Sequence, residues 1–301
     1  MISSLDPATQ SFMAGVNQIQ QRLDEAQTEL TTGLKINTVA DAPNQIADLW
    51  QTRSELDQVD QVNSNLNGVQ TEVNTAQSVL QGAVTLVERA ESLGSEGAST
   101  TATPQTQQDL ADQIGSILQE LVGAANTSVE GRYIFAGDND QQAPYSIDLT
   151  QTDPVSAYQG SAATRQIQSA DGTYFPVSET AQQIFDSSDS QQNVFVALNN
   201  LRQALIANDA AGISSAIGDV QSADGYLNQQ LAFYGNVQNQ VSSAVDFGQT
   251  YVTQLQSQLS GIQDADETQA ITQMTQAQTQ LQAAMISRAQ MPKTSLFDFL
   301  A

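Results

Sequence analysis

Residues 59–90 read VDQVNSNLNGVQTEVNTAQSVLQGAVTLVERA. Val59, Val62, Leu66, Val69, Val73, Ala76, Leu80, Ala83, Val87 and Ala90 follow one another at alternating steps of three and four, without a miss. This spacing holds one apolar stripe along one side of an α-helix and leaves the other side polar. Asn63, Gln70 and Gln77 recur every seven residues beside the stripe. They either select a partner and register or form the wet edge of the helix. Upstream, Trp50 follows Ile46 and Leu49 at core-like spacing, which predicts a packing role.

The same period extends in both directions. Toward the C-terminus the stripe stops near Gly94 and Gly97, and Thr103 with Pro104 caps a third helix carrying Leu110, Ile114, Ile117, Leu121 and Ala124. Toward the N-terminus, Leu5, Phe12, Val16, Ile19, Leu23, Ala26 and Leu30 form another seam, which Gly33 ends. Beyond the middle of the chain, Val194, Leu198, Leu201 and Leu205 predict a short helix, and a long apolar pattern runs from Ile217 to Ile262. Asp264-Ala265-Asp266-Glu267 breaks it, and Ile271, Met274, Leu281 and Met285 follow on a last helix. The final residues include Leu296, Phe297, Phe299 and Leu300, a dense apolar cluster at a chain end.

The centre is different. Pro144, Pro154 and Pro176 fall there, with Tyr133, Phe135, Tyr145, Tyr158, Tyr174, Phe175 and Phe185. Asp171-Gly172 reads as a hairpin turn and Gly137-Asp138-Asn139-Asp140 as a second loop. The expected fold class is therefore mainly α: long terminal coiled-coil helices and an antiparallel helical bundle, with a small β-rich inserted domain. The boundaries read as residues 1–40 and 262–301 for the two halves of a terminal coiled-coil domain, 41–132 and 186–261 for the bundle, and 133–185 for the insertion. The insertion reads as separable from the helical core.

Composition narrows the function. The chain has 301 residues, 9 basic and 33 acidic, with no His and no Cys. No Ser-His-Asp or Cys-His nucleophile, Cys/His zinc site or haem histidine can be built. A net charge of −24 opposes binding to nucleic acid and to anionic lipid. No apolar run approaches a bilayer span, and residues 1–7 carry no basic and apolar leader pattern, so neither a membrane anchor nor a cleaved signal peptide is expected. Asp138-Asn139-Asp140 opens like a calcium loop, but Ala143 and Leu149 stand where such a loop needs Gly and Glu. Neither Lys35 nor Lys293 follows a glycine, which excludes a P-loop. No cofactor, metal or catalytic residue is expected.

A lone amphipathic helix stays marginal in water, so each terminal seam needs a partner: the other terminus, or other copies of the chain. The expected contact residues are Leu5, Phe12, Val16, Ile19, Leu23, Leu30, Ile271, Met274, Leu281, Met285, Leu296, Phe297, Phe299 and Leu300.

Leu30-Thr31-Thr32-Gly33-Leu34-Lys35-Ile36-Asn37, followed by Asp41-Ala42-Pro43, resembles the signature of the flagellin superfamily. The Gln-rich helix after Ile262-Gln263-Asp264-Ala265-Asp266 is similar to its C-terminus. Gly131-Arg132-Tyr133-Ile134-Phe135-Ala136-Gly137, Tyr158-Gln159-Gly160 and the closing Ser295–Leu300 resemble the hook–filament junction members more than filament subunits. Departures are Ser3-Ser4-Leu5-Asp6 at the start, Ala40 before Asp41, and Leu259-Ser260-Gly261 where an arginine is expected. Glu91-Ser92-Leu93 stands in place of the Arg-Glu-Leu that an innate-immune receptor reads, so that activity is not carried over.

The resemblance implies an inner tube of paired terminal helices with a β domain facing outward. It also implies export unfolded through the flagellar type III apparatus, without a cleaved signal, to an extracellular place in the flagellum. The implied partners are further copies in a ring, a neighbouring hook-associated protein, flagellin, and an export chaperone before secretion. A short flagellin that builds the filament itself is the second reading. A carboxylate hydrolase using Asp264 and Asp138 is the third.

Overall fold

The computed structural model describes residues 7–100 and 102–290. In chain order these form α1 (Pro7–Thr32), α2 (Ile46–Gly97), α3 (Pro104–Ala125), β1 (Ser128–Val129), β2 (Arg132–Tyr133), β3 (Gln166–Gln168), β4 (Tyr174–Pro176), α4 (Ala181–Phe185), α5 (Val194–Ala207), α6 (Ala210–Gln263) and α7 (Glu267–Gln290). β1 pairs antiparallel with β2, and β3 with β4 across the Asp171-Gly172 turn, where Gly172 takes a φ of +87°. The expected mainly helical fold with a small β element is what the chain adopts. No helix among the described residues is long and apolar enough to cross a membrane.

The chain divides into two compact units, residues 1–58 with 252–301 and residues 59–251, and α2 and α6 each contribute to both. In the second unit the stripe of α2 is buried from Val59 to Ala90 with only Val62 half-exposed. It joins the buried Ile114, Leu118 and Leu121 of α3, Leu198 and Leu201 of α5, and Val220, Leu227 and Val241 of α6 in one core. Local signals set the helix ends. Thr103 Oγ1 accepts the Thr106 N–H at 3.2 Å with Pro104 in the first turn. Asn193 Oδ1 accepts the Val196 N–H at 2.9 Å at the start of α5, and Asn208 ends it at a φ of +53°.

The central segment departs from expectation. Phe135, Tyr145 and Phe185 lie inside the same core as the helices instead of decorating its surface. Phe135 meets Tyr234 of α6 edge-on at 6.2 Å, Tyr145 meets Phe195 of α5 at 5.2 Å, and Phe185 stacks on Phe195 at 5.8 Å. The two motifs read from this region dock on each other. Tyr158 Oη donates to the Phe135 carbonyl at 3.0 Å, and the Ser161 N–H donates to Ala136 O at 2.9 Å. Gly137 sits at a φ of +63°, and a Cβ there would stand 2.4 Å from the Ser161 carbonyl oxygen, so only glycine fits. Arg132 and Arg165 both grip Glu72 of α2, Arg132 at 3.2 Å, fastening the segment from outside.

One feature of this unit works against stability. Asp224 on α6 has its pKa raised, first by burial and then by the carboxylates of Glu88 and Glu91 on α2, while Asn228 donates to its Oδ2 at 3.0 Å. Its Oδ1 is buried without a hydrogen-bond partner among the described residues. A carboxyl whose folded pKa lies above its unfolded value stabilises the fold only while protonated, and that contribution is lost as pH rises through the folded pKa. Asp224→Asn should therefore raise the melting temperature at pH 7, and the gain should vanish below the ordinary carboxylate range. A gain that persists unchanged at pH 3 would show that charge is not its cause.

Candidate assembly site at the paired termini

The first unit is built around the turn that closes α1. Gly33 takes a φ of +72°, its N–H donating to Glu29 O at 2.8 Å, and the Leu34 N–H donates to Thr32 Oγ1 at 3.1 Å. Asn37 Nδ2 then donates to the Leu34 carbonyl at 2.8 Å. Asp41 gathers the end of the turn: its Oδ2 accepts the Thr38 N–H at 2.6 Å and the Asn37 N–H at 2.8 Å, and its Oδ1 accepts the Thr38 hydroxyl at 2.8 Å. The Thr38 N–H leads the groups that hold this carboxyl below its usual pKa.

This turn is stitched to the other end of the chain. The Lys35 N–H donates to Gln263 O at 2.8 Å and the Ala265 N–H to Gly33 O at 2.9 Å, making a short antiparallel bridge between Leu34 and Asp264. Lys35 Nζ reaches Gly261 O at 3.1 Å, and Arg53 Nη2 reaches Gln263 Oε1 at 2.6 Å. Asp266 Oδ1 accepts the Gln269 N–H at 3.1 Å at the start of α7. The two stretches singled out from the sequence, 226 residues apart at Lys35 and Gly261, thus form one joint. Of the two carboxylates singled out for a hydrolase, Asp264 accepts the Ser260 hydroxyl at this joint, and Asp138 belongs to the second unit.

From the joint, α1 and α7 run back along each other, and at the far end Arg288 lies 5.5 Å over the Phe12 ring and donates to Thr9 Oγ1 at 2.9 Å. Among the described residues of the pair, only small ones are buried: Ala26, Ala270 and Ala277. Phe12, Val16, Ile19, Leu23, Leu30, Met274 and Leu281 are half-buried. Ile271 and Met285 are 51% and 58% exposed. Leu5, Leu296, Phe297, Phe299 and Leu300 lie outside the described residues. Met13 and Ile286 also expose apolar side chains, each directly beside a residue of the predicted seam. A strict three-four spacing passes over such neighbours; the presence of a second large apolar residue there is the signal that finds them.

Trp50 departs from its expected packing role. It is 66% exposed, because Leu49 takes the inward position and one residue further along a helix turns about 100° away.

So little burial holds α1 to α7 that their amides should exchange faster than those of α3 and the α6 core in the dilute chain. Protection at Ile19 and Leu281 equal to that at Leu118 would overturn this.

Residues 3–140 match the bacterial flagellin N-terminal helical region, and residues 214–300 match the bacterial flagellin C-terminal helical region. Flagellar hook-associated protein 3 of Escherichia coli (strain K12) is 25% identical over 317 aligned positions, which take in 96% of each protein. Among solved structures, flagellar hook associated protein-3 from Legionella pneumophila superimposes with a TM-score of 0.62 at 12% identity, over 70% of this chain and 98% of that one. The structure of the flagellar junction protein FlgL from the same organism gives 0.55 at 11%, over 65% and 99%. These structural likenesses concern the fold.

Proposed function

This chain belongs to the bacterial flagellin family, and we propose that it is the member that joins the hook of the flagellum to the filament. It is a structural component of the flagellum that assembles with copies of itself and with other flagellar proteins. The observation that carries the reading is the incomplete burial along α1 and α7, whose seam stays half-open after the two helices have paired. A ring of copies supplies the missing contacts, and folding of the ends is completed on assembly. End-to-end similarity to a hook-associated protein favours the junction over a short flagellin. In this place the chain meets a neighbouring hook-associated protein on one side and flagellin on the other. Before that, an export chaperone covers the seam, and the chain leaves the cell through the flagellar export route to act outside it. Its work is contact between subunits, not bond chemistry.

The test is loss of the gene together with behaviour of the purified chain. Cells without it should export flagellin into the medium and build no filament, and the pure chain should stay monomeric when seeded with filament fragments. Growth of filaments from the seeds would transfer the protein to the filament itself.

A further inference from the structure

Tyr174 on β4 and Phe247 on α6 are large rings left 64% and 47% exposed. They line one solvent-open groove of about 560 Å³ in the second unit, between the β3–β4 hairpin and α6. Phe175 and Ala244 add to its apolar lining, and the polar part lacks positive charge: Asn239, Gln240 and Ser243 rise from α6, and Asp171 sits at the hairpin turn. Asp171 Oδ1 is occupied by the Thr173 N–H and hydroxyl at 3.0 and 2.7 Å, which fixes the carboxylate and leaves Oδ2 as an acceptor.

We infer that this groove binds a neutral hexopyranose unit of a saccharide. The volume falls in the range of small-ligand sites. An aromatic face matches the apolar C–H face of a pyranose ring. Amides and hydroxyls that both donate and accept, with one fixed carboxylate, match vicinal sugar hydroxyls. The carboxylate and the lack of Lys or Arg in the lining exclude phosphorylated or uronate sugars. The two rings come from separate elements and make no ring contact with each other among the described residues, so they do not form the closed aromatic cage that a quaternary ammonium needs.

The test is saturation-transfer NMR on the full chain with methyl glucoside, methyl mannoside, methyl galactoside and N-acetylglucosamine, and with glucuronate and tetramethylammonium as controls. Transfer from aromatic protons to the ring protons of at least one neutral sugar is expected, with none to the controls. Tyr174→Ala and Phe247→Ala, both at exposed positions, should each weaken it at least tenfold while leaving the melting temperature unchanged. Absence of transfer from every neutral sugar at millimolar concentration would overturn the inference. So would transfer that survives both substitutions, or preferential binding of tetramethylammonium. Self-association abolished by Tyr174→Ala would overturn it too, because the groove would then be a contact between copies.

Discussion

Replacing residues 132–185 by a short Gly/Ser linker from Gly131 to Asp186 should abolish the cooperative melt of the second unit. The segment has little regular structure, which makes it look dispensable, yet Phe135, Tyr145 and Phe185 are among its fully or almost fully buried residues. Truncating one buried Phe costs about 3–5 kcal/mol, and a whole domain is stable by only about 5–15 kcal/mol. Removing three such rings at once therefore uses up the margin. The excision also strips Phe195 of Tyr145 and Phe185, takes Phe135 from Tyr234, and leaves Glu72 without its two arginines. Circular dichroism should show a broad, non-cooperative loss of helix, with dye binding at room temperature. A sharp transition within a few degrees of the intact chain would show that the helices alone complete the core. Gly137→Val should reproduce part of the effect, since it forces a β-branched residue into positive φ against the Ser161 carbonyl.

What could be read from the sequence, and what could not, follows from the same contacts. The seam from Val59 to Ala90, the Thr103–Pro104 cap and the Asp171-Gly172 turn are local, period-bearing features, and each lies where it was read. The joint between Gly33–Lys35 and Gln263–Ala265 was visible only as two motifs; nothing in either sequence says that they touch. The burial of Phe135 was hidden for a physical reason. It sits in irregular backbone without a period, and its ring partner Tyr234 is 99 positions away, so no local pattern records the pairing. Trp50 misled in the opposite way: it is a large apolar residue one step from the inward position, and size was taken where angle decides.

Substituting aspartate at both Ile271 and Met285 should leave the free chain's melt almost unchanged and abolish motility. Both side chains are more than half exposed on α7, and surface substitutions of this kind change stability by about ±0.5 kcal/mol or less. Pairing of α7 with α1 rests instead on Ala26, Ala270 and Ala277, which the variant keeps. In a closed assembly the balance reverses. A seam covered by neighbouring copies takes each new carboxylate out of water without a partner, and leaving a charge unpaired in an apolar contact costs several kcal/mol. Symmetry repeats that cost at every subunit of the ring. The chain already carries −24, so no surplus of basic residues is present on neighbouring copies to offset the added charge. The variant should be exported, fail to incorporate, and leave flagellin in the culture medium. Ile271→Ser with Met285→Ser should weaken incorporation in the same direction without the charge, separating lost burial from repulsion. Normal filaments on the aspartate variant would remove α7 from the subunit contacts. A melting temperature lowered by ten degrees or more would instead place these two side chains in the core of the free chain.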